Sequence, residues 1–162
     1  MSNWEKTLEK AILIREFEKV IQKLYLSDCI QSPVHLSIGQ ELTAVLMSKF
    51  YLKGDHIVGN YRSHALALSL ADQFQPLVLE LLAKRQGVSV GKAGSMHLYD
   101  KDNGFYGSSP IVANIIPVGV GIALSNKLKK NNKTVIIFFG DGATEEGVFY
   151  ESLNFAAIHN LK

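Results

Sequence analysis

The stretch that most constrains the fold is "TVIIFFGDGATEEG", residues 134–147. Val135, Ile136, Ile137, Phe138 and Phe139 form an apolar run with no polar alternation, which predicts a strand over residues 134–139 buried on both faces. Gly140 permits a sharp turn, and a helix is predicted over residues 144–159 with Phe149, Leu153 and Ala157 on its inner face. In open α/β sheets, ligands sit beyond the carboxyl ends of the strands. Asp141, held between Gly140 and Gly142, occupies that position. The unpaired N–H groups and dipole at a helix start attract anions, so a carboxylate there would repel a phosphate. A Mg²⁺ between them reverses the sign, because this ion takes one or two carboxylates together with phosphate oxygens. The local chemistry therefore reads as a metal-diphosphate corner, with Gly142 leaving room for close backbone approach. The alternative is a plain turn in which Asp141 caps a helix beginning at Ala143.

The rest of the chain alternates helices with few strands. Ser2 and Glu5 have the spacing of a capping box, opening a long helix whose apolar face reads Leu8, Ile12, Phe17, Val20, Ile21, Leu24. Further helices are predicted over residues 40–50, from "YRSHALALSLAD" and from Pro76 to residue 84, with a short strand in "GDHIVG". From Gln86 to Pro110 periodicity stops, and glycines stand at 87, 91, 94, 104 and 107. Long loops of this kind are functional or disordered; the embedded Met96, His97, Leu98, Phe105 and Tyr106 favour an ordered binding loop. After Pro117, "VGVGIALSNKLKK" predicts a helix in which Gly119 and Gly121 permit close approach of a neighbour or ligand. Asn131-Asn132 makes the following turn. The pattern predicts one α/β domain over residues 1–162 with a mainly parallel sheet flanked by helices.

Composition removes several classes of function. At 162 residues and 47% hydrophobic, the chain suits one domain with a real core. The net charge of +2, and lysines near residue 130 broken by Leu128, argue against a nucleic-acid partner. The polar start is no secretory signal, and no apolar run reaches the ~20 residues that span a bilayer, so a membrane role is not expected. Cys29 is the sole cysteine, which fits a reducing compartment, the cytoplasm by default.

Five segments in order carry a resemblance: "HLSIGQE" (35–41), "YRSHA" (61–65), "GKAGSMHLY" (91–99), "FYGSSPIVANIIPVGVGIAL" (105–124) and "GDGATEEGVFYESLNFAAIHNL" (140–161). Together they resemble the alpha subunit of the decarboxylating component of thiamine-diphosphate-dependent 2-oxo acid dehydrogenases, the pyruvate dehydrogenase type. The resemblance implies a thiamine-diphosphate-binding fold and the cofactors thiamine diphosphate and Mg²⁺. It also implies an alpha–beta assembly (a heterotetramer) with a beta subunit, a lipoyl-bearing acyltransferase component as partner, and a small 2-oxo acid as substrate. By motif, Asp141 matches the Mg²⁺ ligand, and Gly142 and Ala143 match positions whose backbone meets the diphosphate. Tyr61 matches a residue near the aminopyrimidine, and Arg62 a diphosphate contact, for which its guanidinium fork is suited; the ordinary alternative for Arg62 is a surface salt bridge. Val112 matches the backbone contact to the pyrimidine's exocyclic amine. His35 matches an active-site histidine that handles protons near neutrality, with a hydrogen-bonded structural role as the alternative. His97 is expected to shape its loop and His64 to lie within a helix.

Two departures stand out. "SPIVAN" replaces the frequent Asn-Gly-Ile-Val-Gly-Ala, so Pro110 lacks the N–H that a glycine would offer. The sequence also stops at Lys162, before the asparagine pair that closes the family's metal motif, so a truncated domain lacking the second metal ligand is expected. A non-catalytic remnant or interaction module, with residues 134–139 as an exposed apolar edge, is the competing reading. Acetoin, a branched-chain 2-oxo acid or a transketolase-like sugar are alternative substrates on the same cofactor.

Overall fold

The computed structural model describes residues 3–162, so the expected Ser2–Glu5 capping box lies outside the described residues. The elements are α1 (Asn3–Leu26), α2 (Glu41–Ser48), β1 (His56–Asn60), α3 (His64–Leu70), α4 (Gln75–Leu81), β2 (Phe105–Ser109), α5 (Ile115–Leu128), β3 (Val135–Ile137) and α6 (Gly147–Ile158). All strand pairing is parallel, in the order β2-β1-β3, so the α/β class with helices on both faces holds. Among the described residues no helix is long and apolar enough to cross a membrane.

Alternation along the strands divides the core in two. Ile57, Ile136 and Phe138 face one cluster with Ile14, Phe17 and Ile21 of α1, Val45 of α2 and Leu68 of α3. Val58 and Ile137 face the other, with Ile115 and Ile116 of α5 and Phe149 of α6. Phe105, fully buried at the start of β2, anchors the larger cluster; burial of such a side chain is worth about 2–3 kcal/mol.

Three expectations change. In α1, Phe17 and Ile21 are buried, but Leu8, Ile12 and Val20 are about half exposed, and the buried face runs Thr7, Ala11, Ile14, Phe17, Ile21. Apolar residues surround much of this helix, so periodicity allowed more than one face and docking on α2 and α3 selected one. In α6 the inner face is offset: Ser152 is buried and Phe149 packs on the smaller cluster, while Leu153 and Ala157 are exposed. β3 covers only Val135–Ile137 and is half-buried, because it lies at the edge of the sheet.

The expected long loop contains β2, whose five residues, Phe-Tyr-Gly-Ser-Ser, show no strand-like alternation. Its pairing with β1 shifts register between Ile57 and Val58, which pair with Phe105 and Gly107. The extra residue is a bulge, and Gly107 sits there at φ 144°, where a side chain would be strained. Pro117 falls in the first turn of α5, where its missing N–H costs nothing.

Gly119 and Gly121 differ in kind. A Cβ on Gly119 would lie 2.5 Å from Ile137 Cδ1 and 3.2 Å from Val58 Cγ2, so α5 rests directly on the sheet there; a Cβ on Gly121 would meet nothing within 4 Å beyond its own helix among the described residues. Gly119→Ala is expected to destabilise the fold by about 1–3 kcal/mol through overpacking, and Gly121→Ala to stabilise it by about 0.5–1 kcal/mol through helix propensity. Urea denaturation midpoints of the two variants, moving in opposite directions, check this.

Candidate functional site

Parallel pairing sends all three strands out of the sheet at one edge. β1 ends at Asn60 and leads into Tyr61-Arg62, β2 ends at Ser109 and leads to Val112, and β3 leads through Phe138-Phe139 to Gly140-Asp141. Four of the six positions expected to meet a cofactor, Tyr61, Arg62, Val112 and Asp141, thus lie within four residues of the carboxyl ends of adjacent strands, and Gly142 and Ala143 follow Asp141. A cavity of about 180 Å³ at this edge is lined by Asn60, Arg62, Phe139 and Gly140, with Gln40 and Thr43 from the start of α2.

Asp141 is exposed, and no protein group among the described residues bonds its carboxylate. The helix-capping alternative therefore fails: residues Asp141–Glu145 form a 3₁₀ turn without a side-chain cap, and α6 begins only at Gly147. The N–H groups near Asp141 belong to this turn, not to the helix start. Ala143 is buried and donates its N–H to the Gly140 carbonyl at 3.0 Å. Gly142 has open space where a Cβ would stand.

Arg62 is exposed and pairs with no carboxylate among the described residues, which excludes the salt-bridge alternative. One guanidinium nitrogen donates to the Leu36 carbonyl at 2.9 Å, and the group lies 5.8 Å from the Tyr61 ring centre. Its backbone N–H is held by Asn60 Oδ1 at 2.9 Å. The remaining guanidinium donors are open to an anion.

His35 comes from the segment between α1 and α2, far from the strands in sequence. Its ring meets Tyr61 edge-on, with centres 4.8 Å apart. His35 Nδ1 is buried without a hydrogen-bond partner among the described residues, a costly state for a polar atom and one that a ligand relieves. That segment is pinned by Glu41, which takes both Arg15 Nε (2.5 Å) and Nη2 (3.0 Å) and also the Gly39 N–H. The Arg15 hydrogen bonds hold the Glu41 carboxyl below its ordinary pKa.

Val112 is half-exposed and its carbonyl accepts no bond among the described residues, so an acceptor for an amine is available. The next residue, Ala113, is buried at φ 61°, a left-handed conformation that costs a non-glycine residue roughly 1–2 kcal/mol. Ala113 stands where the family pattern has its second glycine.

The glycine-rich loop is organised by a residue the sequence reading did not single out. Glu80 on α4 is fully buried, and its carboxylate accepts the N–H groups of Ser89 (2.8 Å), Gly91 (2.8 Å), Ala93 (2.7 Å) and Gly94 (3.3 Å). Left-handed Val90, φ 61°, turns neighbouring amides toward it, forming a nest of the kind that binds anions. A carboxylate within "PLVLELLA" was the available signal. His97, expected to shape this loop, is exposed and bonds nothing among the described residues.

The donor set fits Mg²⁺ and a diphosphate. Among the described residues no three His, Cys, Asp or Glu side chains gather as a metal cage. Asp141 offers one carboxylate without a bond among the described residues, and a single carboxylate suits this cation when phosphate and water complete its shell.

A family model described as "Dehydrogenase E1 component" matches residues 9–162. The pyruvate dehydrogenase E1 component subunit alpha of Rhizobium meliloti is 37% identical over 156 residues, 96% of this chain and 45% of that protein. The mitochondrial pyruvate dehydrogenase E1 component subunit alpha of Chaetomium thermophilum is 37% identical over 93% of this chain and 36% of its own length. Its counterpart from Solanum tuberosum is 38% identical over 91% and 38%. The chain thus spans less than half the length of these relatives.

Two variants probe the site's supports. Glu80→Gln puts an amide donor against N–H groups and is expected to cost about 3 kcal/mol, with faster proteolysis within residues 86–94. Ala113→Gly relieves the left-handed strain and is expected to raise stability by about 1 kcal/mol; thermal melts of both check the signs.

Proposed function

The chain belongs to the dehydrogenase E1 component family, and we propose that it acts as the alpha subunit of a thiamine-diphosphate-dependent 2-oxo acid dehydrogenase. The reaction is oxidative decarboxylation of pyruvate or a related 2-oxo acid, with the acyl group passed to a lipoyl group on an acyltransferase partner. A beta subunit completes the assembly. One observation carries the reading: Tyr61-Arg62, Val112 and Asp141-Gly142 leave three adjacent parallel strands at the same edge.

Each residue has a task suited to its chemistry. Asp141, unpaired and exposed, would hold Mg²⁺. Arg62 and the Gly142 amide would bind the diphosphate, with Ala143, whose N–H is already given to Gly140, supporting the turn from below. Val112 would accept a hydrogen bond from the aminopyrimidine, and the Tyr61 ring would wall that side. His35, with Nδ1 free, would take or give a proton beside the substrate. Thiamine diphosphate, when bound, supplies the electron sink that lets CO₂ leave. A cytoplasmic location is proposed from the free, exposed Cys29, which suits a reducing compartment.

Calorimetric titration of the full-length alpha–beta assembly with thiamine diphosphate and Mg²⁺ tests the reading. Asp141→Asn is expected to weaken binding by at least about tenfold, or about 1.4 kcal/mol. Unchanged affinity in that variant would remove Asp141 as the metal ligand and the proposal with it.

A further inference from the structure

A fully buried polar chain runs beneath the site. Glu18 of α1, His64 at the start of α3 and Ser95 of the glycine-rich loop are each 0% exposed. Glu18 Oε2 lies 3.1 Å from His64 Nδ1, and His64 Nε2 lies 2.8 Å from Ser95 Oγ. Ser95 Oγ in turn accepts the His35 backbone N–H at 3.3 Å. The other oxygen of Glu18 accepts the Ser37 N–H at 2.9 Å. Ser37 Oγ donates to the Arg62 carbonyl at 3.0 Å and accepts the Ala65 N–H at 3.3 Å.

The order Glu-His-Ser matches that of a nucleophilic triad, but burial closes it to any substrate and Ser95 Oγ is already engaged on both sides. Hydrogen placement gives the chain a direction. The Glu18 carboxylate only accepts, so Nδ1–H of His64 donates to it; bare Nε2 then accepts the Ser95 hydroxyl hydrogen, which leaves the Ser95 oxygen to accept from His35. Every donor and acceptor is satisfied in this one arrangement. With the other tautomer, Nδ1 would face a carboxylate without a hydrogen between them.

We propose that Glu18, His64 and Ser95 are positioning residues: one buried carboxylate sets His35 through His64 and Ser95, and sets Arg62 through Ser37. The proposal rests on the roles given above to His35 and Arg62. It joins segments at residues 35–37, 62–65 and 95, which the chain otherwise connects only through long intervening stretches. Such coupling matters because a displacement of about 1 Å at a reacting group can cost a hundredfold in rate.

The test uses the full-length chain, labelled with ¹⁵N-histidine and assembled with its beta subunit, first without cofactor. Wild-type His64 is expected to show the Nδ1–H tautomer. Ser95→Ala is expected to shift the His35 amide and ring resonances with the circular dichroism spectrum unchanged, and Ser95→Thr, which keeps Oγ, to restore them. In turnover, Ser95→Ala is expected to lower kcat about tenfold with thiamine diphosphate affinity retained. Ser37→Ala, which frees the Arg62 carbonyl, is expected to weaken cofactor binding instead. An Nε2–H tautomer in the wild type, His35 resonances that ignore Ser95→Ala, or equal loss of kcat and affinity in both variants would overturn the proposal. The wild-type tautomer needs no variant to fold, and the resonance measurements need no cofactor, so failure here is distinct from failure of the thiamine diphosphate reading.

Discussion

Everything at the site depends on β1 pairing in parallel with a strand on each side. The pairing aligns His56 to Val58 with Val135 to Ile137, and Val58 to Asn60 with Gly107 to Ser109. Because the three strands run the same way, their exits gather at one edge and their entries at the other. Antiparallel pairing of either neighbour would send Val112 or Asp141 to the opposite side of the domain. The strands owe their rigidity to burial on both faces at β1, where Ile57 and Val58 are both below 3% exposure, and to α5 seated on Ile137 and Val58 at Gly119.

Around this rigid edge, carboxylates hold the irregular backbone. Glu80 gathers four amides of the glycine-rich loop, Glu18 reaches the His35 and Arg62 segments, and Glu41 with Arg15 pins the turn before α2. Burying a carboxylate is expensive unless its oxygens are bonded, and Glu18 and Glu80, both fully buried, are bonded at each oxygen. In return, segments without regular secondary structure acquire a defined path, which loops need if they are to present ligand groups accurately. Of the outward-facing groups, Arg62 is placed by this inner layer through Ser37, whereas Asp141 is placed by the 3₁₀ turn that follows β3.

The legible parts of the fold were those with strong local patterns. The strand at "VII" and the helix after Pro76 follow directly from an apolar run and from Pro chemistry, whereas Gly140 is extended (φ −79°, ψ 159°) and the chain turns over Asp141–Glu145 instead. β2 was not legible, because Phe-Tyr-Gly-Ser-Ser has neither alternation nor a run of strand formers, and it becomes a strand only by pairing with β1. The inner faces of α1 and α6 were misread because both helices carry apolar residues on several sides. The candidate residues were named by their motifs, whereas their proximity was not: His35 and Tyr61 meet across 26 positions of chain.

The order of apolar runs and glycines by itself determined that this is an α/β chain, since backbone period and turn chemistry are local properties. It also placed an aspartate between glycines after the last apolar run and an arginine beside a tyrosine. Only the tertiary structure decided that Asp141 caps nothing, that Arg62 is not spent on a salt bridge, and that Glu18 and Glu80 work inside the protein. Those outcomes depend on which groups lose water together and which partners stand within hydrogen-bond reach, and neither is a property of any single stretch of chain.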